Sequence, residues 1–147
     1  MKMILCSLLE ELLQEYEKHH SRIYFVFKKI EGHYVFTDVN DELLQDSDQQ
    51  RADVVGKTID TAPHLKNEAT RRKLKTIYSL AWSGKKVIFY HFPDDNVDKF
   101  VITHLEPQYE KGEVAQVMGR CASFNKNEFR DILQYLEEFV TFEILTK

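Results

Sequence analysis

The second half of the chain carries three runs rich in β-branched and aromatic residues, at 86–92, 99–106 and 113–124, with only short polar connections between them. Pro93-Asp94-Asp95-Asn96 lies between the first two, and Glu110-Lys111-Gly112 between the last two; both are turn sequences. Connections this short cannot hold the crossover that parallel strands need, so the three runs must be antiparallel neighbours. Earlier in the chain, Ile23 to Ile30 and residues 34–39 have the same composition and flank Glu31-Gly32, which suits a tight hairpin turn. Five short strands in two groups are the feature that most limits the fold.

The remaining segments read as helices around that sheet. Leu5, Leu8, Leu9, Leu12, Leu13 and Tyr16 recur every three or four residues, predicting an amphipathic helix over 4–18. Between the two strand groups, Asp38 or Asn40 can cap a short helix through Leu43 and Leu44. Residues 46–50 are polar and loop-like, and 51–55 predict one helical turn closed by Gly56. Residues 63–83 predict a longer helix with Leu65, Ala69, Leu74, Ile77, Tyr78, Ala81 and Trp82 on its apolar face, and Gly84 as its stop. The tail, 125–147, starts as a helix with Phe129, Ile132, Leu133 and Leu136 on one face. Val140, Phe142 and Ile144 alternate, so the pattern leaves 140–147 open between helix and strand. Two strands, a helical insert and three further strands make an α+β sheet with helices on one face.

The 147 residues fit one domain, and 43% hydrophobic with 12% aromatic content is enough to fold it. A net charge of −4 argues against a nucleic-acid surface, and Arg71, Arg72, Lys73 and Lys75 read as a solvated helix face. Two cysteines, Cys6 and Cys121, allow neither a disulfide framework nor a Cys-x-x-Cys metal pair. The apolar run at the start is broken by Glu10 and Glu11, and no segment reaches the ~20 apolar residues of a membrane span. A cytoplasmic location without membrane contact is the expectation.

Three pieces of sequence resemble a PAS domain, the similarity running over 23–124. Phe36-Thr37-Asp38-Val39-Asn40-Asp41-Glu42-Leu43-Leu44 is similar to the family's strand that ends in Asp-x-Asn before a short helix. Asp53-Val54-Val55-Gly56-Lys57-Thr58-Ile59 is like its glutamate-hydrophobic-hydrophobic-Gly-Lys step. Thr103-His104-Leu105-Glu106-Pro107, with Gly112-Glu113-Val114 through Gly119, resembles its last hairpin, where a strand ends in proline. The family often has a glycine in the segment occupied here by 46–50, and this chain has none there.

The resemblance implies a five-stranded antiparallel sheet with a cavity between its concave face and the helices. It divides the chain into a capping or dimerising N-terminal helix (1–20), a PAS-like core (21–124) and a helical tail (125–147). Val101, Thr103 and Leu105 would face the cavity from one strand, Val117, Gly119 and Cys121 from the next, and Leu74, Tyr78 and Trp82 from the helix. Strand alternation would then turn Phe100, Ile102 and Met118 to the outer face, under the N-terminal helix. Of these, Tyr78, Val101, Thr103, Leu105, Val117 and Cys121 are the candidate ligand-contacting set.

The cofactor is left unknown. Flavin-binding members of the family carry a reactive cysteine on the helical block, and 51–82 contains none; Cys121 stands where those members place a flavin-contacting glutamine. Haem-binding members use a histidine on the long helix, where only His64 is near, at the helix start. No metal triad, nucleophile elbow, phosphate loop or zinc-protease motif is present. The resemblance therefore implies a non-catalytic sensory or regulatory module: a homodimer, with a small ligand and a signalling output domain or partner. Two alternatives stand beside it. One is a ligand-free dimerisation module. The other is a small cone-shaped isomerase or dehydratase with His91 or His104 as base, His91 being paired with Asp94 or Asp98.

Overall fold

The computed structural model describes residues 2–92, 99–125, 127 and 142–143, with the backbone alone for 2–5 and 142–143. The elements run in the order α1 (Lys2–His19), β1 (Ile23–Ile30), β2 (His33–Val39), α2 (Asp41–Ser47), a 3-10 turn (Arg51–Asp53), α3 (Glu68–Trp82), β3 (Val87–His91), β4 (Lys99–Glu110), β5 (Glu113–Asn125) and β6 (Phe142–Glu143). All strand pairings are antiparallel, in the spatial order β2-β1-β5-β4-β3-β6. The five expected strands are present, and the two-residue β6 adds a short edge beside Ile88 and Phe89. The proposed helix at the start of the tail lies outside the described residues.

Local chemistry sets most of the boundaries. Both hairpins turn on a residue–glycine pair with positive φ at each position: Glu31 (51°) and Gly32 (84°), then Lys111 (54°) and Gly112 (82°). That pairing matches the right-handed twist of the strands it joins. Asn40 caps α2, its side-chain oxygen accepting from the Leu43 N–H at 3.2 Å. At the other end Asp48 takes the left-handed conformation, φ 53°, in the segment where the family often has glycine. Asn67 caps α3, so this helix begins later than the sequence pattern suggests; 63–64 form a turn, 65–67 have no regular structure, and Ala69 is exposed. β4 also departs from expectation. It runs through Pro107 to Glu110 instead of ending at the proline. β3 stops opposite Leu105, so beyond that point one edge of β4 is open and a residue lacking an N–H is tolerated.

Alternation along the strands divides the apolar residues into two cores. The inner core joins Phe25, Phe27, Phe89, Leu105, Val117 and Cys121 of the sheet to Leu74, Ile77, Tyr78 and Ala81 of α3. The outer core joins Ile88, Tyr90, Phe100, Ile102 and Ala122 to Cys6, Leu9 and Leu13 of α1. Phe100 and Ile102 therefore lie under α1. Burial of side chains such as Leu9 and Leu13 contributes about 1.5–3 kcal/mol each, which holds the helix on the sheet. No helix among the described residues is long and apolar enough to cross a membrane.

Candidate functional site

A cavity of about 390 Å³ lies between the helical block and the inner face of β3, β4 and β5. Its walls are largely aromatic: Phe25 and Phe36 on one side, Phe89 and Phe92 on another, and Tyr78 from α3. Leu43, Val54, Leu65 and Leu74 complete the apolar lining on the helical side. The sheet contributes Val101, Thr103 and Cys121, and His91 from β3.

Four of the six expected contact residues, Tyr78, Val101, Thr103 and Cys121, line this cavity. Leu105 and Val117 do not. They face the same side of the sheet but are fully buried in the packed part of the inner core. The reason is the ring of Tyr78, which lies flat on Phe27 with centroids 4.1 Å apart and 5° between the planes. Phe27 is the β1 partner of Val117, so the ring pair fills the space above that position. Trp82 packs against the same core without lining the cavity, and Gly119 is covered by the Phe25 ring.

Three neutral polar groups meet within the cavity wall. Thr103 Oγ1 and Cys121 Sγ are 3.5 Å apart. Burial pushes the Cys121 thiol up to about 12, with the Thr103 hydrogen bond opposing. Burial also raises the Tyr78 phenol well above its ordinary value, and the nearby Cys121 adds to the shift. Both groups stay protonated at neutral pH.

The mouth carries the charge. Lys99 Nζ donates to Asp46 Oδ2 at 3.0 Å and to the Asp46 carbonyl at 2.8 Å, joining the start of β4 to the end of α2. Asp48 lies beside it on the rim. His64 and His91 border the cavity, whereas His104 points to the other side of the sheet, in register with Arg120 and Ile88. Asp94 and Asp98, the carboxylates expected beside His91, lie outside the described residues. No group of three metal-ligating side chains occurs among the described residues.

Sequence reasoning missed Phe89, Lys99 and Asp46, and offered His91 only as the base of the enzyme alternative. Register places Phe89 and His91 together, because they pair with Thr103 and Val101 and so share their face. Nothing local marks the Lys99–Asp46 contact, which spans 53 positions.

The donor set does not suit a flavin nucleotide. The helical block offers no cysteine, and Lys99, the one lysine or arginine lining the cavity among the described residues, is already held by Asp46. Among the described lining residues, a flavin phosphate would meet no lysine or arginine that is not already paired.

No family model matches the sequence, nor does any curated protein. Solved structures do match the fold. A PAS domain of Bordetella pertussis BvgS superposes with a TM-score of 0.60 at 18% identity, covering 90% of this chain and 98% of that one. A light-oxygen-voltage domain studied with a flavin analogue gives 0.57 at 11% identity, covering 90% and 95%. A sensory box sensor histidine kinase from Vibrio cholerae gives 0.55 at 13%, covering 85% and 98%. With this strand order, helical insert and inner cavity, the chain is by fold a PAS-like domain.

Proposed function

We propose that the chain is a non-catalytic sensory module, in which a small molecule in the cavity alters the packing of α1. The observation that carries this reading is the alternation of three consecutive residues on β5. Cys121 lines the cavity, while Arg120 and Ala122 on either side of it face α1. Arg120 Nη1 donates to Glu17 Oε1 at 2.7 Å, and Ala122 packs in the cluster that holds Leu9 and Leu13. A change in the strand at Cys121 is thus felt directly beneath the helix.

Tyr16 supports the same route. It packs against both cores, with its ring edge-on to Phe124 at 5.5 Å. Among the described residues β1 pairs with β5 only as far as Cys121, and Tyr16 lies beside the end of β5, against Phe124. A ligand shifts such an equilibrium only by its difference in affinity for the two arrangements.

The division into a capping or dimerising helix (1–20), a core (21–124) and a tail (125–147) belongs to this proposal, as does a cytoplasmic site of action. Leu8 and Leu12 are only partly buried against the chain's own sheet, which favours α1 as a surface for a second copy. A signalling output domain or partner protein would read that surface.

Native mass spectrometry of the purified protein tests the reading. The expected species is a dimer of the 17.4 kDa chain that takes up a small molecule, with slower amide exchange in α1 when it is bound. A dimer that takes up nothing from a broad fragment set would leave only the dimerisation role. A monomer with unchanged α1 exchange on ligand binding would overturn the proposal.

A further inference from the structure

We infer that the cavity is built for an uncharged aromatic molecule carrying a hydrogen-bond acceptor, such as a ring carbonyl, which accepts a hydrogen bond from the Tyr78 phenol. This deepens the sensory reading and rests on it.

The shape and surface come first. Phe25, Phe36, Phe89 and Tyr78 give the cavity flat, apolar walls, which reward an aromatic ring and penalise a charged one. About 390 Å³ is room for a molecule of two fused rings or more.

Charge is the second argument. Lys99 is neutralised by Asp46, and Asp48 adds a further negative charge at the rim. An anion entering here would have to break the Lys99–Asp46 contact and pass two carboxylates. Phosphorylated cofactors and carboxylic acids are therefore disfavoured.

The third argument is the unsatisfied donor. Tyr78 is 3% exposed, borders the cavity, and its hydroxyl makes no hydrogen bond to the described residues. A phenol that borders the cavity without a partner among the described residues has its proton available for a ligand acceptor. Its neighbours Thr103 and Cys121 already meet one another, and Gln49, whose side-chain oxygen is buried without a partner among the described residues, is a second polar group on the lining. Burial keeps the phenol protonated, so it has a proton to donate to a ligand acceptor.

Three bicyclic probes separate the possibilities: 1-tetralone, tetralin and 1-naphthyl phosphate, titrated by calorimetry into the full chain. Tetralone should bind about fivefold more tightly than tetralin, the value of one neutral hydrogen bond. The phosphate should bind more weakly than either. Tyr78→Phe keeps the ring on Phe27 and should bring tetralone and tetralin to equal affinity, whereas Val101→Ala, which alters volume only, should leave their ratio unchanged. If Tyr78→Phe fails to fold, infrared spectra of carbonyl-labelled tetralone on the unaltered chain carry the test: the bound C=O stretch should move to lower wavenumber. Equal binding of tetralone and tetralin to the unaltered chain, an unmoved C=O stretch, or tightest binding of the phosphate overturns this inference and leaves the cavity reading standing. Failure of all three probes to bind overturns the cavity reading itself, and this inference with it.

Discussion

The Tyr78 ring lies parallel to the Phe27 ring at 4.1 Å, so one residue of α3 both seals the inner core and borders the cavity. Tyr34 and Phe36 meet the same ring edge-on, at 5.9 and 6.3 Å. Helix α3 is thereby fixed on β1 and β2 through aromatic faces and edges.

Truncating that ring should be among the most damaging changes available. Tyr78→Ala is expected to cost about 3–5 kcal/mol, the range for large aromatic-to-alanine changes in a packed core. Tyr78→Phe should cost less than about 1 kcal/mol, since the hydroxyl has no protein partner to lose. Urea unfolding of the two variants checks both.

Gly119 should not tolerate a side chain. A Cβ at this position would collide with the ring of Phe25, its β1 partner. Gly119→Ala should destabilise by about 1–3 kcal/mol. Adding Phe25→Leu should cost less than the sum of the two single changes, a coupling that a double-mutant cycle measures.

Asn40 serves two elements at once. Its side-chain oxygen accepts from Leu43 N–H at 3.2 Å and Tyr24 N–H at 3.1 Å, and its amide nitrogen donates to the Arg22 carbonyl at 2.6 Å. Asn40→Ala should cost about 1–2 kcal/mol. It should also speed hydrogen exchange at Tyr24 in β1, which loss of a helix cap alone would not do.

Alkaline pH should weaken the fold. Unfolded, the Cys121 thiol ionises near 9.0 and the Tyr78 phenol near 10.0; folded, burial holds the thiol up to about 12 and the phenol well above its ordinary value. Above pH 9 the unfolded chain therefore binds fewer protons than the folded one. Stability from these groups is complete below that point and falls as pH rises through it. Each group adds a slope of about 1.4 kcal/mol per pH unit where only the unfolded form is ionised. Cys121→Ala should flatten the decline between pH 9.0 and 12 in denaturant titrations at stepped pH.

Removing the arginine under α1 should loosen the helix without unfolding the sheet. Arg120→Met leaves Glu17, whose side chain is 15% exposed, without its 2.7 Å partner. Faster exchange in the last turn of α1, with β1 and β5 unchanged, is the expected result.

Much of this fold is legible in the chain because the deciding forces act over few residues. Glu31-Gly32 and Lys111-Gly112 turn the two hairpins through backbone conformations that glycine adopts at no steric cost. Asn40 and Asn67 start their helices through side-chain oxygens placed two or three residues from the N–H groups they cap. A period of two sends Phe100 and Ile102 to one face and Val101, Thr103 and Leu105 to the other. The continuation of β4 past Pro107 was not legible, because it depends on where a neighbouring strand stops.

The candidate site divides in the same way. Sequence alternation determined which residues face inward, but it could not separate Val101, Thr103 and Cys121, which border open space, from Leu105 and Val117, which are packed solid. That difference is set by where α3 lays Tyr78 across β1. Likewise Asp46 meets Lys99 across 53 positions and Glu17 meets Arg120 across 103, distances over which no local pattern carries information. Local sequence determined the elements and their faces, because those follow from backbone geometry. Only the tertiary structure decided where the sheet is filled, where it is left open and which charges close the mouth, because those follow from the volumes and charges of side chains brought together from distant parts of the chain.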